Sequence, residues 1–154
     1  LYSMKILRLC GALATLALSA SMLTGCSATV NLDAAEDANN PVCAEQMVRL
    51  PDEIETLTRR TTNAQSTGAW GVPASVIFRC GVAPVEASTL PCVTASDVDW
   101  LVDDSNAPSY RFITFARTPA TEVIVDSTEI SGATALDALS TALSRAQVSK
   151  RCSG

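Results

Sequence analysis

The chain has 154 residues, a formal net charge of −5 and no histidine. The absence of histidine excludes a Ser-His-Asp triad, a Cys-His pair and any imidazole general base. The acidic balance disfavours nucleic acid as a partner, because a phosphate-binding surface needs an excess of positive charge. A chain of this length suits one domain with one hydrophobic core.

Residues 4–26 have the pattern of a bacterial lipoprotein signal. Lys5 and Arg8 form a basic head, a 15-residue apolar run follows, and Leu23-Thr24-Gly25-Cys26 has the form of a lipobox. A membrane-spanning helix needs about 20 apolar residues, so the run is too short for a permanent span. We therefore expect cleavage before Cys26.

The thiol of Cys26 is then the expected acceptor for diacylglycerol. Two or three acyl chains hold a protein on a membrane far more firmly than one chain does. The sequence therefore predicts a lipid-anchored protein on the extracytoplasmic face of the cell membrane. A plain secretory signal without lipid is the alternative.

These features divide the chain into a cleaved signal at 1–25, a lipidated cysteine and tether at 26–40, and one domain at 41–154. The tether is small, polar and acidic, although Val30 and Leu32 alternate in a way that permits an edge strand. All 16 acidic residues follow the lipobox, and two of the 11 basic residues precede it, so the mature charge is 9 minus 16, or −7.

Two helices are predicted at the start of the domain. Asn40-Pro41 is typical of a helix N-terminus, and this first helix runs to Leu50. A second short helix is predicted from Pro51, with acidic residues near its N-terminus and with Ile54 and Leu57 on its buried side.

The middle of the domain is predicted to contain about four strands. After a polar loop at 61–73, the branched apolar segment 74–80 is predicted to be a buried strand. Clean alternation predicts a half-buried strand at 97–103, and two further strands follow at 110–117 and 121–126.

The last predicted element is an amphipathic helix at 133–148, because Leu136, Leu139 and Leu143 recur at helical spacing. Helices before and after a run of strands indicate the α+β class. We expect an antiparallel sheet of about four strands, with the N- and C-terminal helices packed on one face.

Four cysteines remain after the signal and the lipobox: Cys43, Cys80, Cys92 and Cys152. An even number in an exported chain predicts two disulfides, for which three pairings are possible. A metal site is not expected, because no two of these cysteines have C-x₂₋₄-C spacing and histidine is absent. No cofactor is expected either, since the chain has no Gly-rich phosphate loop.

Asp97 and Asp99 lie two residues apart on a predicted strand, with Asp103 on the same face. Such a pair can bind calcium or act in acid/base catalysis, but we predict a solvated strand face that runs into a hairpin turn. The spacing does not match an EF-hand loop, which needs glycine where Val102 stands. We assign no catalytic residue.

Arginines and one tryptophan are the candidate ligand-binding residues. An anion site for a wall polymer or a partner's carboxylates is one interpretation, and an ordinary solvated, salt-bridged surface is the other, for these arginines: Arg59, Arg60, Arg79, Arg111 and Arg117. Arg111 and Arg117 are predicted to share one strand face. Trp70 is a candidate for stacking on a ligand, and the alternative is that it fills the edge of the core.

Several motifs resemble a known family when they are taken together. They are the lipobox, the Cys43 helix with Leu50-Pro51, the Arg59-Arg60 pair, the WGVPASVIFRCGV block at 70–82 and the VDW motif at 98–100. This combination resembles an actinobacterial family of lipoproteins and secreted proteins, domain of unknown function 3515. Ala74 departs from the family's W-G-x-P-P. The resemblance implies a role in the cell envelope but no activity.

Sequence order and the predicted layout favour the pairs Cys43–Cys80 and Cys92–Cys152. The first pair would join the first helix to the first main strand, within the part that resembles the family. The second would hold the chain end against the sheet.

The sequence thus predicts a membrane-anchored envelope protein that binds or scaffolds, with an envelope protein or wall polymer as its partner. The alternative is a carboxylate-dependent enzyme acting on wall glycan or peptide. An enzyme should show a deep pocket with at least two acids, whereas a scaffold should show an exposed apolar or arginine patch.

Overall fold

The computed structural model describes residues 28–143 and 145–152. The predicted signal and Cys26 lie outside the described residues. Within them, neither helix has the length and hydropathy that crossing a bilayer requires.

The described chain is mostly β-structure, so the predicted α+β fold with about four strands is wrong. Eight strands form one antiparallel sheet in the order β1-β2-β3-β4-β9-β7-β6-β5, and β8 pairs with β10 in a separate two-stranded ribbon. The strands are β1 Glu53–Ile54, β2 Leu57–Arg60, β3 Thr67–Trp70, β4 Val76–Val82, β5 Cys92–Ala95, β6 Val98–Asp103, β7 Ser109–Thr114, β8 Arg117–Thr118, β9 Ala120–Asp126 and β10 Gln147–Val148.

Two short helices, α1 (Pro41–Met47) and α2 (Gly132–Ser140), pack on one face of the sheet, and a 3-10 helix follows at Thr141–Leu143. Each α-helix has a side-chain N-cap, Asn40 for α1 and Ser131 for α2. Between helices and sheet lies the apolar core, whose largest members include Trp70, Trp100, Phe78, Leu136 and Leu139.

The helix predicted from Pro51 is instead a hairpin of β1 and β2. Ile54 and Leu57 pair across this hairpin, and Glu55 makes the turn with φ 52°. The Pro51 carbonyl accepts a hydrogen bond from the Trp70 indole at 3.0 Å, which fixes the segment at the edge of the core. A three-residue spacing fits both a helix face and a tight hairpin, so spacing alone misled the prediction.

The loop predicted at 61–73 conceals β3, which is fully buried between β2 and β4. Its residues are Thr, Gly, Ala and Trp, and the two at its centre, Gly68 and Ala69, are of types depleted in strands. The glycine is required by packing, because a Cβ at Gly68 would lie 3.0 Å from the Trp70 ring and 3.1 Å from Leu50.

The four apolar strands predicted in the middle of the chain are present as β4, β6, β7 and β9. The predicted C-terminal helix is shorter than expected: α2 ends at Ser140, and Gln147–Val148 pairs with β8 instead of continuing the helix.

Both favoured disulfides are confirmed. Cys43–Cys80 joins α1 to β4 with a Cα–Cα distance of 5.5 Å, and Cys92–Cys152 joins β5 to the C-terminal segment at 5.9 Å. The first bond is buried in the core, whereas the second holds the chain end on the other face of the sheet.

Candidate functional site

The face of the sheet opposite the helices carries three charged residues at its centre. Arg79 on β4 and Arg111 on β7 flank Glu122 on β9, and each arginine pairs with a different carboxylate oxygen. The Arg79 Nε donates to Glu122 Oε2 at 2.7 Å, and the Arg111 Nε donates to Oε1. We call these three residues the charged triad.

The triad is buried at its centre and open at its sides. Glu122 is 3% exposed, while the side chains of Arg79 and Arg111 are 32% and 40% exposed. A carboxylate is buried at low cost only when it is paired and hydrogen-bonded. The two guanidinium groups satisfy Glu122 and still present part of their surface to a ligand.

A cleft of about 230 Å³ lies beside the triad. Its floor is formed by Arg79, Glu122 and the half-buried Ile77 and Ile124 of the sheet. Its rim is formed by Asn31, Leu32 and the exposed Asp33. Charged and apolar groups therefore lie side by side, as in sites that orient a ligand through a few polar contacts.

The rim belongs to the predicted tether, and the described part of that tether, residues 28–40, is bound to the sheet instead of hanging free. Val30 pairs with Thr62 in a parallel bridge, and the Leu32 amide donates to Asn63 Oδ1 at 2.8 Å. Further along, the Asp37 amide donates to the Gly81 carbonyl at 3.0 Å. A Cβ at residue 81 would lie 2.4 Å from Asp37, so glycine allows this close approach.

The predicted anion site of five arginines does not form as one cluster. Arg59 and Arg60 are adjacent on β2 and face opposite sides of the sheet. The Arg59 guanidinium carbon lies 6.0 Å from the centre of the Trp70 ring, whereas Arg60 donates to the Gly71 carbonyl at 2.7 Å. Only Arg79 and Arg111 of the five meet at one carboxylate.

Arg117 does not share a strand face with Arg111, so that prediction is wrong. Strand β7 ends at Thr114, and Ala116 has φ 50°, which turns the chain before Arg117. Arg117 is buried and donates to the Leu143 carbonyl at 2.8 Å. Burial lowers the pKa of Arg117 below its usual value, although the guanidinium remains charged.

Trp70 lies within the core and is 0% exposed. This agrees with the alternative given for this residue, that it fills the edge of the core. Its ring packs beside Gly68, and its indole nitrogen is satisfied by a backbone carbonyl. A ligand therefore has no access to stack on the ring in this conformation.

Asp99 is not on a solvated face as predicted, since it is 3% exposed. Its carboxylate accepts hydrogen bonds from Thr94 Oγ1 at 2.6 Å and from the Cys152 amide at 3.0 Å, and Arg151 lies 3.8 Å away. Burial acts to raise the pKa of Asp99, but the hydrogen bonds and the charges of Arg151 and Arg117 hold it below its ordinary 3.8. The residue is an ionised anchor for the C-terminal segment.

Asp97 lies in the tight turn before β6, is exposed, and has φ 64°. It does not share a pocket with Asp99. Instead it lines a shallow groove of about 440 Å³ with Arg117 and Asp137, whose carboxylate accepts a hydrogen bond from Ser96. In the described part of the chain, no group of three or more acidic or cysteine side chains is arranged to hold a metal ion.

Sequence reasoning missed Glu122 as a site residue. The signal was a single acid inside the apolar run TEVIV, matched by a single arginine inside the apolar run SVIFRC. A lone charge in a buried strand needs a partner, so these two segments were candidates for neighbouring strands with an ion pair between them.

The comparisons with known proteins give a family and no activity. No significant match to the chain is found among curated proteins or among solved structures. The model of the family described as Protein of unknown function (DUF3515) matches residues 6–152, nearly the whole length, and the chain therefore belongs to this family.

Proposed function

We propose that this protein is a lipoprotein, anchored through Cys26 on the extracytoplasmic face of the cell membrane, that binds an envelope component in the cleft beside the charged triad. The observation that carries the binding proposal is that the buried Glu122 holds two partly exposed arginines, of which Arg79 lines the cleft and Arg111 lies across Glu122 from it. The lipobox pattern of the sequence carries the anchoring proposal.

The ligand is expected to combine a carboxylate with an adjacent apolar group. Arg79 and Arg111 offer charge-assisted hydrogen bonds, which suit carboxylates in particular. Ile77 and Ile124 offer apolar contact next to these donors. A wall peptide, or an acidic segment of an envelope protein, has this chemistry.

Binding is favoured over catalysis because the acids singled out as catalytic candidates do not converge. Asp99 is a buried anchor with a lowered pKa, which makes it a poor proton donor near neutral pH. Glu122 is enclosed by two arginines, so both of its oxygens are already paired.

The anchor is tested by replacing Cys26 with serine and labelling cells with a palmitate analogue. Diacylglyceryl transfer needs the thiol, so Cys26→Ser should lose the label and accumulate as precursor. Equal labelling of the variant and the parent would refute lipidation at this residue.

The cleft is tested by placing a photoreactive amino acid at Asn31 on its rim and crosslinking in intact cells. The matched control places the same group at Ala44, which is exposed on α1 on the other side of the sheet. We expect an adduct, identified by mass spectrometry, at Asn31 alone, and its loss when Arg79 and Arg111 are changed to glutamine. Equal adducts at both positions, or no effect of the arginines, would refute the site.

A further inference from the structure

We propose that the turn Gly71-Val72-Pro73 rests on the lipid surface beside the anchor. The proposal rests on the proposed lipidation of Cys26 and adds a defined orientation: the end of the sheet that carries the turn between β3 and β4 faces the membrane. The observation behind it is that an exposed apolar turn and the start of the described chain lie at the same corner of the molecule.

The path of the chain places the anchor at this corner. Because Val30 pairs with Thr62 in parallel, the direction from Val30 back to Ala28 follows β2 from Thr62 toward Thr58. The Thr58 carbonyl accepts the Gly71 amide at 3.1 Å, so this direction leads to the turn.

One arginine ties the two segments together. Arg60 donates through Nη1 to the Gly71 carbonyl and through Nη2 to the Ala28 carbonyl. Cys26 precedes Ala28 by two residues, which span at most about 7 Å in any conformation. A lipid on Cys26 would therefore hold the turn within reach of the bilayer.

The chemistry of the turn suits a lipid surface. Val72 is 79% exposed and Pro73 is also exposed, so two neighbouring apolar side chains face outward. A single exposed valine on a soluble surface is unremarkable and would not bind a bilayer by itself. Beside an anchor, however, the local concentration of lipid is high enough for a weak contact to be occupied.

The contact is expected to be apolar and not electrostatic. The mature chain carries a net charge of −7, and the neighbouring hairpin turn between β1 and β2 carries the exposed Glu55. Arg60, the cation that contacts the turn, already binds two carbonyls. A zwitterionic phosphatidylcholine surface should therefore be sufficient.

The test uses the mature chain, residues 26–154, attached to phosphatidylcholine vesicles. With both disulfides formed, Cys26 is the one free thiol of this chain, so a maleimide-headgroup lipid couples there. Tryptophan is introduced by Val72→Trp and, as the matched control, by Val93→Trp. Val93 is 42% exposed on β5, five strands from β3, or about 24 Å across the sheet.

We expect spin-labelled lipid in the vesicles to quench the Val72→Trp fluorescence at least about twofold more than that of Val93→Trp, after subtraction of the parent signal. Equal quenching, or stronger quenching at Val93, would overturn the proposed orientation. Both variants must keep the parent's thermal midpoint of unfolding. If Val72→Trp fails this check, Val72→Tyr replaces it, and the quenching of its tyrosine fluorescence is measured.

Because coupling is chemical, this result does not depend on lipidation in cells. Missing palmitate label on Cys26 would refute the anchor alone, whereas unselective quenching would refute the orientation alone.

Discussion

The two faces of the sheet are built from the same strands but differ in how they are covered. On the helix side, apolar residues such as Phe78 and Val123 pack against α1 and α2 in a continuous core. On the other side, the adjacent residues of the same strands, Arg79 and Glu122, belong to the charged triad, which lies beside an extended segment of the chain. Alternation along a strand therefore sets the polarity of each face and does not determine whether that face is exposed.

The two faces should also differ in how much they contribute to the free energy of folding. A fully buried large apolar side chain contributes about 1.5–3 kcal/mol to folding. A buried ion pair contributes little in net terms, because desolvation offsets much of the attraction. We infer that stability resides chiefly in the helix-covered face and that the charged face is available for binding.

The largest effect is expected for Phe78→Ala on the helix-covered face. Removal of this 0% exposed ring should lower the free energy of unfolding by about 3–5 kcal/mol, through lost burial and the cavity left behind. Urea denaturation measures the loss. The matched control is Ile77→Ala, the preceding residue on the charged face, which is half-buried and should cost about 1–2 kcal/mol. Equal losses would contradict the assignment of roles.

A smaller effect is expected for Glu122→Gln at the centre of the triad. The change leaves two arginines side by side without a counter-charge, and it should cost about 2 kcal/mol. This is less than for a fully buried pair, because both arginine side chains keep contact with water.

Replacing all three triad residues with methionine is the informative comparison for Glu122→Gln. If the ion pairs contribute little net stability, this triple variant should unfold at nearly the parent's urea midpoint. A triple variant less stable than Glu122→Gln would show that the triad is a major stabilising element.

Asp99→Asn tests the buried anchor of the chain end and should cost about 1–3 kcal/mol at pH 7. The pKa of Asp99 is lower in the folded chain than in the unfolded chain, so its stabilising contribution is complete above about pH 4 and is lost as the pH falls through the folded value. The difference in urea midpoint between parent and variant should therefore shrink at pH 3. A difference independent of pH would contradict the role of the carboxylate's charge.

The sequence predicted some segments of the fold better than others. Segments whose conformation depends on residues distant in sequence were predicted least well. Long alternating or apolar runs such as 121–126 were identified, because their pattern reflects burial directly. The strand containing Gly68 and the hairpin at Glu55 were missed, because their pairing partners, not their own propensities, fix their conformation. Asp99 was misplaced for the same reason, since its partner Cys152 lies 53 residues away.

The smallest effect is expected for replacing Asp97 and Asp137, which line one groove. These two acids are the pair on which the enzyme alternative would now depend. Both residues are exposed, and asparagine tolerates the left-handed conformation of residue 97 and can accept the hydrogen bond from Ser96 at residue 137. It is the backbone carbonyl of Asp97, and not its carboxylate, that accepts the hydrogen bond from Arg151 at 2.7 Å. The double variant Asp97→Asn, Asp137→Asn should therefore change the free energy of unfolding by less than about 0.5 kcal/mol. Complementation of a deletion strain by this variant should match the parent at equal protein levels. A phenotype as severe as the deletion would instead indicate that these carboxylates act in catalysis, because their loss would have removed activity while leaving the fold and the binding cleft intact.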